Sequence, residues 1–111
     1  MKNVFQKIID GELPCDKVFE NERILAIKDK YPVAPVHLLI IAKKLIPDLA
    51  TIAEADGPLM GEMMLVAKKL AHEYGVEKGF RLLTNIGPSA GQSIFHLHFH
   101  LIGGRPLGPM A

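Results

Sequence analysis

The stretch Gly91-Gln92-Ser93-Ile94-Phe95-His96-Leu97-His98-Phe99-His100-Leu101-Ile102-Gly103-Gly104 carries three of the chain's five histidines at alternate positions. Side chains of a β-strand alternate between faces with a period of two. A strand over Phe95 to Ile102 therefore sends His96, His98 and His100 to one face and Leu97, Phe99 and Leu101 to the other. The apolar set suits a core, whereas a row of three imidazoles is not something a bland sheet face requires. Gly103-Gly104 ends the strand. The connector before it, Ile86-Gly87-Pro88-Ser89-Ala90-Gly91-Gln92-Ser93, is too long for a tight hairpin and rich in small residues.

Upstream, Phe80 to Asn85 reads as a second strand and Val36 to Ile41 as a central one, apolar enough to be buried on both faces. Lys17 to Glu20 and Ile24 to Lys28 form a hairpin across Asn21-Glu22-Arg23. Tyr31-Pro32-Val33-Ala34-Pro35 is a loop, because each proline restricts itself and the residue before it. Val4, Phe5, Ile8 and Ile9 recur at helical spacing and predict a short first helix closed by Gly11 and Pro14. A longer helix opens near Asp56-Gly57-Pro58, where Asp or Gly suits the cap, and ends at Gly75; Leu59, Met63, Val66, Leu70 and Tyr74 form its apolar stripe. Strands that outnumber helices and pair locally predict an α+β domain with a mostly antiparallel sheet of five strands.

The 111 residues suit one domain spanning 1–111, without repeats or linkers. Hydrophobic residues make up 49% and charged residues 23%, a globular balance that argues against disorder. Thirteen basic against twelve acidic residues leave a net charge of +1, which offers no excess for nucleic acid or an anionic membrane. The single cysteine, Cys15, excludes an intrachain disulfide framework and a Cys₄ zinc site and suggests a reducing compartment. Charge interrupts the N-terminal stretch too often for a signal peptide, and the apolar run Val36 to Ala42 is too short to span a bilayer. A cytoplasmic location is the expectation.

Two chemistries compete for the imidazole row. Alternating histidines can bind zinc, with His37 as a further nitrogen donor. Alternatively, one imidazole is a nucleophile whose neighbours fix its tautomer and bind an anion. The loop favours the second: Gly87, Gly91 and Ser93 leave the backbone free to approach a substrate, and turn N–H groups can cradle phosphate oxygens. No Asp or Glu lies within the histidine strand as a ligand or supporting partner. Phosphate chemistry without metal or cofactor is the preferred reading.

The segment His96-Leu97-His98-Phe99-His100-Leu101-Ile102 resembles the histidine triad signature, in which three histidines alternate with apolar residues. Gly91-Gln92-Ser93 before it and Gly103-Gly104-Arg105 after it bring the likeness to the Hint branch, the histidine triad nucleotide-binding proteins. Phe5-Gln6-Lys7-Ile8-Ile9, Pro35-Val36-His37 and Lys78-Gly79-Phe80-Arg81 extend it nearly end to end. Fhit-like diadenosine polyphosphate hydrolases are less similar, typically with Thr at the Ser93 position.

The resemblance implies a HIT-like fold and a homodimer whose sheets join edge to edge through Leu82 to Asn85. It implies a purine nucleoside phosphoramidase, which cleaves adenosine or guanosine 5′-phosphoramidates, and aminoacyl adenylates as a further class, through a nucleotidyl-histidine intermediate. In this sequence His98 matches the nucleophile, His100 a phosphate contact, and His96 and His37 the supporting histidines. Ser93 matches the hydroxyl beside the leaving group. Asp29 matches the carboxylate that accepts ribose hydroxyls, with Lys30 beside it. Asn85, Gly91, Gln92 and Phe99 fall at positions near phosphate and sugar, and Phe5 and Ile8 at the purine pocket. Two positions depart from the pattern: Lys30 stands where an apolar residue is common, and the tail Arg105-Pro106-Leu107-Gly108-Pro109-Met110-Ala111 lacks the frequent terminal aromatic. The alternatives are a nucleotide-binding or protein-interaction dimer with little catalysis, a diadenosine polyphosphate hydrolase, and a histidine-based zinc protein.

Overall fold

Alternation of apolar residues along five short segments builds a single antiparallel sheet with two unlike faces. The computed structural model describes Met1–Ala111. Its strands are β1 (Lys17–Glu20), β2 (Ile24–Lys28), β3 (Val36–Ala42), β4 (Phe80–Leu83) and β5 (His98–Gly103), in the order β1-β2-β3-β5-β4. Every neighbouring pair is antiparallel. The Asn21 carboxamide oxygen closes the β1–β2 turn by accepting from Arg23 N (2.9 Å) and Ile24 N (2.8 Å). Such local side-chain bonding is why Asn is favoured in turns.

The helix α2 (Gly57–Glu73) covers one face. Leu59, Met63, Val66, Ala67 and Leu70 meet Ile24, Ala26, Leu38, Ile40, Ala42, Leu97, Phe99 and Leu101 there in one continuous core. Each fully buried aliphatic side chain stabilises by roughly 1.5–3 kcal/mol. The six-residue helix α1 (Val4–Ile9) packs on the other face, where Phe5 joins Leu25, Ile27, Leu39 and Ile41. Both faces of β3 are thus covered, which accounts for its unbroken apolar run.

Asp56 precedes α2 but does not cap it. Its buried carboxylate turns back to accept from Ala53 N (2.9 Å) and from the Lys44 ammonium (2.6 Å). That pair holds the Asp56 carboxyl below the usual carboxylate range, mainly through the Lys44 hydrogen bond. Gly75 follows the helix with a φ of 71°, the left-handed stop that its sequence predicts.

Two strand boundaries differ from the sequence expectation. The sequence predicts a strand over Phe95 to Ile102, but the ladder begins at His98 and runs to Gly103. Leu97 keeps only half of the next ladder pair: its carbonyl still accepts from Ala42 N (3.2 Å), while its N–H turns to the Ile46 carbonyl (2.6 Å). The strand expected over Phe80 to Asn85 ends at Leu83. Beyond it, the Thr84 hydroxyl donates to the His98 carbonyl (2.7 Å), a side chain taking the place of the next ladder bond. No helix is long and apolar enough to cross a membrane.

Candidate active site

A cavity of about 650 Å³ opens beside β5 on the face covered by α1. Phe5, Ile8, Ile27 and Leu39 give it an apolar wall, while His98, His100, Ser93 and Asn85 supply polar groups. Lys28, Asp29 and Lys30 line it from the end of β2, and Gly91 and Gln92 from the loop before the histidines. Most of the predicted site therefore converges on one hollow.

Three predicted residues do not line it. Phe99 is in the core against α2, as its place between His98 and His100 requires, so its side chain does not line the cavity. His37 is buried behind His100, and His96 is fully buried beyond the end of the ladder. The expected row of three imidazoles is thus two facing the cavity and one enclosed behind them.

Backbone groups assign the ring tautomers, because a carbonyl only accepts and an N–H only donates. His98 Nδ1–H donates to the His96 carbonyl at 2.6 Å, leaving the Nε2 lone pair free. His96 Nε2–H donates to the Ala42 carbonyl at 2.6 Å, so its Nδ1 accepts from the Asn3 amide at 3.1 Å. Val33 N–H donates to His37 Nδ1 at 3.2 Å, so the His37 proton sits on Nε2 and is given to His100 Nδ1 (2.9 Å), with an Asp29 carboxylate oxygen 3.3 Å away. His100 is left with its proton on Nε2. The cavity is thereby offered a nucleophilic nitrogen by His98 and a hydrogen-bond donor by His100.

Burial keeps these rings neutral. It pushes His37, His96 and His98 below the ordinary imidazole value. His100 falls to about 4, first through burial and then through His98 and His37 beside it, against a smaller opposing pull from Asp29. The His37–Asp29 contact is accordingly a carboxylate beside a neutral ring rather than an ion pair. A neutral His98 is the form in which an imidazole attacks.

Nitrogen and oxygen atoms of Asp29, His37 and His100 lie within 4.8 Å of one another, a set that invites a metal reading. The hydrogen bonds oppose it. A metal-bound histidine donates from its second nitrogen, whereas the second nitrogen of His37 accepts from Val33 N–H. Binding an ion through Nε2 would set two N–H groups against each other.

Gln92 braces the loop. Its amide nitrogen donates to the Pro47 and Ile94 carbonyls (2.9 and 3.2 Å), and its amide oxygen accepts from Gly87 N (2.8 Å). Gly87 and Gly91 hold φ values of 84° and 97°, where a side chain is strained. One Asp29 carboxylate oxygen accepts from Tyr31 N (2.8 Å), closing the turn, and the group also lines the cavity. Lys43 and Lys44, by contrast, pair with Glu20 and Asp56 away from the site. His72 pairs with Glu77 on the surface.

The Val33 N–H and the Ala42 carbonyl escape sequence reading altogether. Asn3 leaves a trace, the Asn-x-x-Gln helix-start pattern completed by Gln6.

The HIT domain model matches residues 10–107. The chain belongs to the HIT domain family. A HIT-like protein of Chlamydia pneumoniae is 53% identical over 108 residues, covering 97% of this chain and 98% of that protein. A purine nucleoside phosphoramidase of Escherichia coli K12 is 42% identical over 110 residues, covering 98% and 92%. A HIT family hydrolase from Clostridium thermocellum superposes with a TM-score of 0.92 at 48% identity, covering 96% of this chain and 94% of that one. HIT hydrolases are therefore its neighbours in both sequence and fold.

Proposed function

We propose that this HIT protein is a purine nucleoside phosphoramidase, cleaving adenosine or guanosine 5′-phosphoramidates to the nucleoside monophosphate and an amine. One observation carries the reading: His98 is neutral, its Nδ1–H is held by the His96 carbonyl, and its free nitrogen belongs to a cavity that also holds His100 and Ser93. The name of the Escherichia coli relative supports the same substrate class.

In this mechanism the His98 Nε2 lone pair attacks the α-phosphorus and the P–N bond breaks. An amine leaves poorly unless it gains a proton, and the Ser93 hydroxyl is the donor placed beside the departing nitrogen. The His98 ring then carries phosphorus on Nε2 and a proton on Nδ1, hence a positive charge. The His96 carbonyl already faces that proton and stabilises it. His100 Nε2–H donates to a phosphoryl oxygen as charge builds there. Water next attacks phosphorus and gives its proton back to the Ser93 oxygen, the P–N bond to His98 breaks, and the monophosphate leaves with the His98 ring neutral again. Asp29 accepts from the ribose hydroxyls, and Phe5 and Ile8 receive the purine.

Comparing kcat/KM for an adenosine phosphoramidate, a guanosine phosphoramidate, an aminoacyl adenylate and a diadenosine polyphosphate tests this reading. The phosphoramidates are expected to exceed the dinucleotide by roughly 100-fold, because only the former profit from protonation of a nitrogen leaving group. Preference for the dinucleotide overturns the assignment.

We further propose a homodimer joined at β4. This strand bonds β5 on one side only, and Phe80 on it is partly exposed, as are Met64 and Leu65 on α2. An open apolar edge invites pairing, and a second copy covers it with two-fold symmetry. Sedimentation at micromolar concentration is expected to give twice the chain mass; a single-chain mass rejects the dimer. The cytoplasm is the proposed location, where an exposed thiol such as Cys15 stays reduced.

A further inference from the structure

We propose that Asn3 is a positioning residue: its hydrogen bond to the His96 ring fixes the carbonyl that holds His98 in its reactive tautomer. The inference rests on the reading of His98 as nucleophile. The Asn3 carboxamide has no freedom to flip, because its oxygen accepts from Gln6 N (2.8 Å) as the cap of α1. The Gln6 side chain returns the bond to Asn3 N (2.8 Å). The amide NH₂ group is therefore the part that meets His96 Nδ1, from 93 residues away in the chain.

His96 is thereby bonded at both ring nitrogens, to the N-terminal segment on one side and to the end of β3 on the other. The ring is fully buried, so no water replaces a lost partner. The His96 carbonyl lies ahead of the β5 ladder. Its position depends on this ring clamp and on the two backbone bonds of Leu97. Phe5, in the helix that Asn3 caps, also packs edge-on against His98 with ring centroids 4.8 Å apart.

A purely structural role, capping α1, makes a different prediction. Ser and Asp cap helices about as well as Asn. Asn3→Ser keeps an oxygen for Gln6 N but falls short of His96. Asn3→Asp keeps the shape and turns an acceptor toward Nδ1, so His96 must take up a second proton to keep the contact. His98 is the titratable neighbour of this ring, and Phe5 covers its edge, so no native carboxylate competes.

Nitrogen-15 NMR of the full chain without substrate reads the ring states directly. Wild type is expected to show His96 protonated at Nε2 alone and His98 at Nδ1 alone. Asn3→Ser should give a tautomer mixture at His98, and Asn3→Asp a doubly protonated His96 at neutral pH. With an adenosine phosphoramidate, both variants should lose roughly 10-fold or more in kcat, as when partners that orient a working histidine are removed, with KM within about 3-fold. Gln6→Ala, which weakens the same cap without touching His96, should stay within about 2-fold of wild type. Wild-type ring states in Asn3→Ser, or a loss equalled by Gln6→Ala, overturns the proposal. Because the ring spectra need no turnover, failure of the phosphoramidase reading would leave this test decisive.

Discussion

Replacing His98 with Ala should lower phosphoramidate turnover by at least ~10⁴-fold, equivalent to about 5.5 kcal/mol of transition-state stabilisation. The size follows from what is lost. No neighbouring group can substitute: His96 is enclosed with both nitrogens bonded, and the His37 Nδ1 lone pair faces Val33 N–H. His100 holds its proton toward the cavity and its lone pair toward His37. Water would have to attack an unactivated phosphoramidate directly. Binding should persist within a few-fold, because Phe5, Ile8, Ile27, Leu39 and Asp29 all remain. Isothermal titration with AMP and single-turnover assays separate the two effects, and acid-quenched mass spectrometry should detect a nucleotidyl adduct on His98 in wild type alone. Turnover by His98→Ala within about 10-fold of wild type would refute the nucleophile assignment. His100→Ala should be milder, a loss of roughly 10²–10³-fold, since it removes one hydrogen-bond donor and no covalent step.

The part of this architecture that sequence reveals is the part governed by period. Alternation over Leu97 to Leu101 separates the α2-facing core from the cavity, and the order of strand, loop and strand follows from prolines and glycines placed between apolar runs. Asp29, Asn85 and Ser93 are also legible as cavity residues, through likeness to other histidine triad sequences, and the fold brings them together. Periodicity fails where one backbone hydrogen bond redirects the chain. The Leu97 N–H bonds the Ile46 carbonyl instead of Ala42, so the ladder stops at His98; the His96 ring keeps its face, packed on Phe5, but does not line the cavity. Asp56 shows the same limit at a helix start: Lys44, twelve residues earlier, competes successfully for the carboxylate that would cap α2.

Tautomers are the least legible feature. Which nitrogen of His98 is free depends on a carbonyl two residues away, and the His37 proton depends on an amide in the Tyr31–Pro35 loop. A list of histidines contains neither fact. The loop amide is anchored in turn, because Arg105 from the segment after β5 donates to the Val33 carbonyl at 2.9 Å. The residue following Gly103-Gly104 thus steadies the histidine pair from outside the cavity, a link that spacing along the chain does not predict.

Acidification from about pH 7 to pH 4.5 should destabilise the fold well before its carboxylates are protonated. Four buried or half-buried histidines have folded pKa values below the ordinary imidazole value of about 6.5. The unfolded chain therefore binds more protons than the folded one throughout this interval. Stability then falls as pH falls. The loss begins near the unfolded value and continues for His100 to about 4, where the folded ring also protonates. Glu20, Glu62 and Asp56 are depressed, so whatever stability they contribute is lost as pH falls through the ordinary carboxylate values toward their lower folded ones, late in this interval and beyond it. Discounted for partial solvent exposure, the histidine contribution is on the order of 1–3 kcal/mol, a large share of a marginal total. Thermal unfolding followed by circular dichroism should show Tm dropping by roughly 5–15 °C across the interval. His100→Gln should flatten the lower part of the curve, because it removes the ring whose titration reaches furthest into acid. A Tm constant from pH 7 to 4.5 would mean that the four rings are not held neutral. The burial that leaves His98 unprotonated for attack is thus the same burial that makes the folded chain acid-sensitive, and the two properties should weaken together in variants that open the cavity to water.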